Sequence, residues 1–192
     1  LYKGEKYLIS RFIKNNDSVL DIGCGQGGLY KILNKKFKKI KYTGIDFNKQ
    51  MIDLAKSNFS NGKFYWFTKK DYNKFFKKKF DVVIIFGILH LNPNWDRILL
   101  NASKVSKRVV IFDHRVELKT NNKKNLFLDL DFEKRDKKFR INYFLLKKNY
   151  LENFIKLKMK KFNVNKFYYS GYASKFSNIR NKITFANIGL FK

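Results

Sequence analysis

The residues most able to bind a ligand or do chemistry lie in one glycine-rich segment, Asp21-Ile22-Gly23-Cys24-Gly25-Gln26-Gly27-Gly28, which directly follows a short apolar run. Glycines at this spacing let a chain turn tightly and bring its backbone amides close to a ligand at the start of a helix. The segment therefore predicts a loop for a nucleotide-type cofactor. Gly23, Gly25 and Gly28 also satisfy a dinucleotide fingerprint, and Asp46 could bind a ribose in either class of protein.

Asp21 distinguishes between the two cofactor classes. A carboxylate two residues before the first glycine repels a pyrophosphate, whereas it attracts the ammonium and sulfonium groups of S-adenosylmethionine. At about 4–6 Å such an interaction is worth on the order of 1–4 kcal/mol, with the sign set by the ligand. Asp21 thus favours S-adenosylmethionine over NAD.

The same residues carry a family resemblance. Asp21-Ile22-Gly23-Cys24-Gly25-Gln26-Gly27, followed by Gly44-Ile45-Asp46, resembles the class I S-adenosylmethionine-dependent methyltransferases of the small-molecule type. The likeness rests on motifs from about Ser18 to Phe112 and on element order elsewhere. It implies a Rossmann-like, doubly wound α/β fold, with a mostly parallel seven-stranded sheet and an antiparallel C-terminal strand.

The resemblance also implies how the cofactor is held. Gly23 and Gly25 would pass under its methionine part, Asp21 would help hold its amino group, and Asp46 would bind both ribose hydroxyls. The remaining candidate cofactor contacts are aromatic, sulfur or adenine-reading side chains: Phe47, Met51, Asp71, Tyr72 and Phe86. Structural roles compete at several positions, because Asp71 fits a turn or helix cap and Met51 fits ordinary core.

Two histidines are the candidates for a general base, which an acceptor hydroxyl would need. His90 follows the fourth predicted strand and His114 follows the fifth, so both are expected at the rim where ligands bind to open α/β sheets. A packing role is the alternative for each. Arg115 could hold an anionic group of the acceptor, or could form a surface ion pair instead.

The acceptor itself is constrained mainly by exclusion. Enzymes of this family that methylate exocyclic base amines carry Asn or Asp followed by Pro-Pro and an aromatic residue, where this chain has Phe86-Gly87-Ile88-Leu89. The single thiol, Cys24, lies inside the cofactor loop, which argues against thiolate-dependent cytosine-C5 chemistry. Acceptor recognition is expected from the leading helix with Tyr2, from the 118–146 segment, and from the aromatic cluster that ends at Tyr172.

The elements that must position these residues follow from hydrophobic periodicity. Apolar runs predict strands that alternate with helices, and residues 149–152 predict a capping box that opens a late helix. We expect one methyltransferase domain over residues 1–192, with a leading helix in 1–15, a cofactor-binding core in 18–115, a hairpin-like insertion in 118–146, and a helix and strands in 147–192. The predicted strands are Ser18–Ile22, Lys41–Ile45, Lys63–Thr68, Phe80–Phe86, Arg108–Phe112, Phe162–Tyr169 and Ile183–Phe191.

Composition bears on partners and location. The chain of 192 residues carries a net charge of +28, which attracts polyanions. Only seven of its 43 basic residues are Arg, the lysines are spread along the whole chain, and the abundance of Asn, Phe and Ile is typical of an AT-rich genome. We therefore interpret most lysines as solvated surface. With one Cys and two His, no structural zinc site is expected, and no metal is predicted.

Three functions remain open from the sequence. The first is an O-methyltransferase, less readily an N-methyltransferase, acting on a small molecule or a glycan- or nucleotide-linked precursor by in-line displacement. The second is an RNA methyltransferase acting on a ribose hydroxyl or ring nitrogen. The third is a cofactor-binding scaffold without catalysis. No apolar run reaches the roughly 20 residues of a membrane span and the first residues lack a signal-peptide core, so the expected location is the cytoplasm.

Overall fold

The computed structural model describes residues 1–71, 75–117, 127–130, 139–172, 179 and 182–192. Its centre is a twisted sheet with strand order β3-β2-β1-β4-β5-β10-β9, in which a short β8 also pairs with β5. The strands of this sheet are β1 (Ser18–Ile22), β2 (Lys41–Asp46), β3 (Lys63–Trp66), β4 (Phe80–Ile85), β5 (Ser106–Glu117), β8 (Leu146–Lys147), β9 (Asn163–Tyr172) and β10 (Lys182–Phe191). The predicted Rossmann-like fold is confirmed.

The first five strands are parallel, whereas β10 runs antiparallel to both β5 and β9. In the described parts of the chain, the helices that cover the two faces of the sheet include α1 (Lys3–Phe12), α2 (Gly28–Lys36), α3 (Lys49–Asn58), α4 (Trp95–Val105) and α5 (Lys148–Lys158). Each face has its own apolar core. Leu20, Val83 and Phe112 belong to one, and Val19 and Ile84 to the other. The alternation along each strand explains why central strands are apolar throughout.

The second half of the chain departs from the sequence expectations in two ways. β5 continues to Glu117 instead of ending at Phe112, because β10 pairs with it as far as Val116. The capping box predicted at 149–152 is wrong: the N-cap of α5 is Lys147, two residues before the predicted cap at residue 149, and the helix begins at Lys148. Glu152 instead accepts hydrogen bonds from Tyr168 and Lys166 of β9.

Within the segment 118–146, which is predicted to be a hairpin-like insertion, β6 (Phe127–Leu130) and β7 (Phe139–Asn142) form a separate two-stranded antiparallel sheet. Residues 131–138, between these two strands, lie outside the described residues. The segment after β7 then returns to the main sheet, where the amide of Phe144 donates to the carbonyl of His90 at 2.7 Å.

The N-terminal helix α1 lies tightly on β10. A Cβ added at Gly4 would come within 2.0 Å of Asn187 Oδ1, so only glycine permits this approach. The carboxylate of Glu5 accepts a hydrogen bond from the amide of Tyr2 at 2.8 Å, which satisfies one free donor at the start of the helix. This docking carries Tyr2 to the carboxyl end of the sheet. None of the helices in the described ranges combines the length and the apolar character that crossing a bilayer requires.

Candidate functional site

The glycine-rich loop joins β1 to α2 at the carboxyl edge of the sheet. The amides of Gly23 and Cys24 donate to the carbonyl of Ile45 at 2.8 and 3.1 Å, which ties the loop to the end of β2. Gly25 has a positive φ of 52°, and a Cβ placed there would meet nothing within 4 Å. The loop therefore has a backbone that favours glycine and an open face above Gly25.

Asp46 lies beside this open face at the end of β2. Its two carboxylate oxygens accept one backbone amide each, from Gly25 at 2.9 Å and from Asn48 at 2.8 Å. A carboxylate has about four acceptor positions, so further donors can still be bound. The amides fix the orientation of the side chain, and its free lone pairs suit the paired hydroxyls of a ribose.

Asp21 is buried at the end of β1, where its carboxylate accepts a hydrogen bond from the hydroxyl of Tyr42. Burial raises the pKa of Asp21 to about 7, against the lowering effect of the Tyr42 hydrogen bond, and the nearby charge of Asp46 raises it further. Burial, with the Asp21 and Asp46 charges, also raises the pKa of the Cys24 thiol. Cys24 therefore stays a thiol rather than a reactive thiolate.

The remaining predicted cofactor residues occupy different environments. Phe47 is 78% exposed beside Asp46, and Met51, one turn into α3, is half-buried. Asp71 accepts hydrogen bonds from the amide and hydroxyl of Thr68 at 3.0 and 2.7 Å, as expected of a turn residue. Phe86 packs on the apolar core beneath α1. Tyr72 lies outside the described residues, and the cofactor contacts of all these residues stay predictions.

A cavity of about 250 Å³ opens at the same edge of the sheet, beside the loop that follows β4. We call it the acceptor cavity. Its walls are mostly aromatic, and it is lined by Tyr2, Gly87, His90, Leu91, Arg115, Tyr143, Tyr172 and Phe185. A larger depression of about 520 Å³ lies between α5 and the start of β9, near the opposite end of the sheet. It is far from the cofactor loop and holds none of the predicted site residues.

Arg115 is the charged group of the acceptor cavity. Its guanidinium lies 4.1 Å from the ring centre of Phe185, pairs with the carboxylate of Asp113 and donates to the hydroxyl of Tyr143. The other oxygen of Asp113 accepts the amide of Gly87 at 2.6 Å. Asp113 thus connects the loop after β4 to the guanidinium. The predicted alternative, a surface ion pair, is wrong because both partners are buried.

The structure brings His90 to the acceptor cavity but not His114. His90 is 6% exposed with its ring 4.9 Å from that of Tyr143, and its Nδ1 has no hydrogen-bond partner. Burial, aided by the charges of Arg115 and His114, lowers the pKa of His90 to about 2. His90 is therefore a neutral ring at physiological pH.

His114 is fully buried on the opposite face of β5, where its ring lies edge-on to Trp95 at 5.4 Å. Its Nδ1 accepts the amide of Arg115 at 2.8 Å, while Nε2 has no partner. Burial lowers its pKa to about 4. The catalytic role predicted for His114 thus has no support from its position, since the residue does not line the acceptor cavity.

Asp113, Tyr143 and Phe185 surround Arg115, but the sequence predicts no site role for them. Asp113 directly precedes two predicted site residues, and Phe185 is predicted only as part of the last strand. Strand alternation could have found Asp113, because residues 113 and 115 share one face of β5 and residue 114 lies on the other. No sequence signal connects Phe185 or Tyr143 with Arg115. Only the antiparallel pairing of β10, which places Phe185 opposite Arg115, makes this contact.

The loop and Asp46 fit the cofactor that the resemblance implies. The open face above Gly25 leaves room for a ligand, and Asp46 offers unused acceptor positions beside it. Gly23, Gly25 and Asp46 would hold S-adenosylmethionine. Phe47, exposed next to them, would provide an apolar surface for its adenine.

Comparisons with known proteins agree with this geometry. Residues 13–167 match the family model described as a methyltransferase domain. A fatty-acid O-methyltransferase of Mycolicibacterium smegmatis is 33% identical over 89 residues, covering 45% of this chain and 32% of the relative. A tRNA (guanine-N(7)-)-methyltransferase of Clostridium botulinum is 29% identical over 150 residues, covering 69% of this chain and 68% of the relative.

The fold has solved counterparts as well. A S-adenosylmethionine-dependent methyltransferase of Methanosarcina mazei superposes with a TM-score of 0.68 at 19% identity, covering 100% of this chain and 98% of that one. The chain spans less than half the length of the first curated relatives that it matches. The identity of the methyl acceptor must therefore be inferred from the geometry of the site.

Proposed function

Because this chain belongs to the class I S-adenosylmethionine-dependent methyltransferases, we propose that it transfers the methyl group to an oxygen of a small molecule bound in the acceptor cavity. The observation that carries the proposal is the cavity itself: about 250 Å³, walled by aromatic rings and containing one buried guanidinium. Drug-sized ligands occupy pockets of roughly 300–1,000 Å³, so this cavity suits a smaller acceptor.

The cofactor supplies an electrophilic methyl group on a positively charged sulfur. The tasks of the protein are to hold the acceptor in line with that methyl group and to exclude water. Gly87 lines the cavity and lies at the end of β4, next to β1 and its glycine loop, so the two binding regions are adjacent. Tyr2 and Tyr172 form the outer wall, and α1 holds Tyr2 in place through Glu5.

The roles of individual residues follow from their surroundings. Arg115, held by Asp113 and stacked on Phe185, would bind a polar or anionic group of the acceptor. Tyr143 and Phe185 would contact its apolar part. His90 contributes a neutral ring, which can accept a hydrogen bond but holds a proton poorly because burial depresses its pKa.

A second candidate is a methyltransferase acting on RNA. Two observations favour it: the tRNA-methylating relative covers about two thirds of both chains, and the net charge of +28 attracts phosphate backbones. A nucleobase swung out of an RNA could enter a cavity of this size. The two candidate functions differ in the molecule that receives the methyl group, which is a small molecule in the first and an RNA in the second.

The test incubates purified protein with methyl-labelled S-adenosylmethionine and a cell extract, and counts label separately in the RNA, protein and small-molecule fractions. We expect label in the small-molecule fraction, and we expect ribonuclease treatment of the extract to leave it there. Label found only in RNA and released by ribonuclease would contradict the proposal and support the second candidate. A Gly25→Val variant, which should lack cofactor binding, controls for background labelling.

A further inference from the structure

We infer that the acceptor is a small carboxylic acid and that the product is its methyl ester. This inference rests on the proposed small-molecule function and names the chemical class of its substrate. It is carried by what the acceptor cavity contains: a buried guanidinium packed against aromatic rings, and, among the described residues, only weakly basic or already hydrogen-bonded groups that could remove a proton.

The guanidinium has donors to spare. Arginine carries five N–H groups, and those of Arg115 already reach Asp113 and Tyr143. The planar guanidinium fork lines the acceptor cavity, 4.1 Å from the ring centre of Phe185 and 5.7 Å from that of Tyr2. A carboxylate accepts such a fork through two parallel hydrogen bonds, which neither an alcohol nor an amine can do.

The titratable groups around the cavity are poorly suited to serve as a base. His90 is a weak base, because burial lowers its pKa, and the ring of Tyr143 packs against it. Asp113 is committed to Arg115 and to the amide of Gly87, and Glu5 to the amide of Tyr2. His114 lies on the far face of β5. The phenols of Tyr143 and Tyr169 are kept protonated, since burial raises both pKa values.

A carboxylate needs no base. One lone pair of its oxygen forms the new C–O bond, and the electron pair of the broken S–C bond stays on sulfur. The carboxylate loses its negative charge, the sulfonium loses its positive charge, and no proton is transferred. Two opposite charges thus disappear beside the aromatic walls of the cavity, which favours the reaction there. An alcohol acceptor would release a proton, and the described residues of this cavity offer it only weak or already committed bases.

The first experiment uses the chemistry of the product. Small-molecule products labelled in the extract assay are treated with mild alkali, which hydrolyses a methyl ester to methanol but leaves methyl ethers and methylamines intact. We expect most of the label to become volatile. Label in small molecules that resists alkali would overturn this inference while leaving the proposed function in place. Label only in RNA would instead defeat the proposed function, so the two failures are distinguishable.

The second experiment tests Arg115 and His90 by measuring how fast the variants form the alkali-labile product. Arg115→Lys keeps the charge beside Asp113 but loses the planar fork, and we expect KM for the acid to rise roughly 100-fold, with cofactor affinity unchanged. His90→Gln should lower kcat, because His90 lines the cavity, but by less than the 10²–10⁴-fold that a general base normally contributes. A loss of 100-fold or more in kcat in a His90→Gln protein that melts like wild type would overturn the inference.

Discussion

The cofactor loop and the acceptor cavity lie side by side at the carboxyl edge of the sheet, yet they are built differently. The loop is made of backbone: amides of Gly23, Cys24 and Gly25 bound to the end of β2. The cavity is made of side chains that come from α1, the loop after β4, β5, β9, β10 and the segment after β7. The bound amides fix the shape of the loop, whereas a wall of side chains selects among ligands.

This difference predicts that mutations in the cofactor loop weaken cofactor binding, whereas mutations in the acceptor cavity weaken acceptor binding. The largest effect is expected at Gly25. In a Gly25→Val variant a branched side chain would occupy the open face of the loop at a φ of 52°. We expect cofactor affinity to fall at least 100-fold, about 3 kcal/mol, as measured by isothermal titration calorimetry.

Gly28 provides the matched control for this variant. A Cβ there also meets nothing within 4 Å, but Gly28 begins α2 and has no positive φ. Gly28→Ala should bind the cofactor within about 3-fold of wild type and should not melt at a lower temperature, since alanine favours helix. Equal losses in both variants would mean that the open face above Gly25 is not where the cofactor lies.

The second largest effect is expected at Asp113, which connects the loop after β4 to Arg115 within the acceptor cavity. Asp113→Asn retains an acceptor for the Gly87 amide but leaves the Arg115 guanidinium buried without its counter-charge. We expect the free energy of unfolding to fall by about 3 kcal/mol. At temperatures where the variant is folded, KM for the acceptor should rise more than 10-fold with little change in cofactor affinity.

Asp53→Asn is the control for Asp113. Asp53 forms an exposed pair with Lys49 one turn earlier in α3. Exposed pairs contribute about 0–1 kcal/mol, so denaturant unfolding of this variant should resemble that of wild type. An Asp113→Asn protein with unchanged KM and strongly reduced cofactor affinity would show that Asp113 serves the cofactor loop instead of the acceptor cavity.

The comparison also explains how far the sequence could predict each region. The cofactor loop can be predicted from residues that are close in the sequence: the glycine spacing, the preceding strand and Asp46 at the end of the next strand. The sheet followed from alternating apolar runs. The acceptor cavity is less predictable, because the sequence predicts that β5 ends at Phe112 and that residues 113–115 lie in a loop at the rim of the sheet. In the structure β10 extends β5 to Glu117, and strand alternation then separates His114 from Arg115.

A third, smaller effect concerns pH and Asp21. Because burial raises the pKa of Asp21 to about 7, the native protein without cofactor holds a proton there that the unfolded chain releases near 3.8. The contribution of this residue to the free energy of unfolding should therefore decrease as pH rises from about 4 to about 7. Tyr42, Cys24 and Asp46 are the titratable groups that face it.

The same shift affects cofactor binding if Asp21 helps to hold the positively charged amino group. A nearby cation favours the carboxylate, so binding should release a proton and affinity should rise up to about 10-fold between pH 6 and pH 8. In Asp21→Asn this pH dependence should disappear. Calorimetry in two buffers of different ionisation enthalpy measures the released proton directly. A wild-type affinity that is flat over this range would rule out the predicted contact.

The smallest effect is expected at His114, which tests where the acceptor cavity ends. His114 lies against Trp95 on the face of β5 that looks away from the acceptor cavity, so its imidazole contributes packing and one hydrogen bond to the Arg115 amide. In His114→Gln we expect kcat to stay within about 3-fold and stability to fall by about 1–2 kcal/mol, in line with a lost buried contact. Steady-state kinetics with the labelled product and a thermal melt measure the two quantities. If kcat instead fell 100-fold with an unchanged melting temperature, the histidine predicted as a base from sequence would act in catalysis, and the cavity would have to open toward both faces of β5.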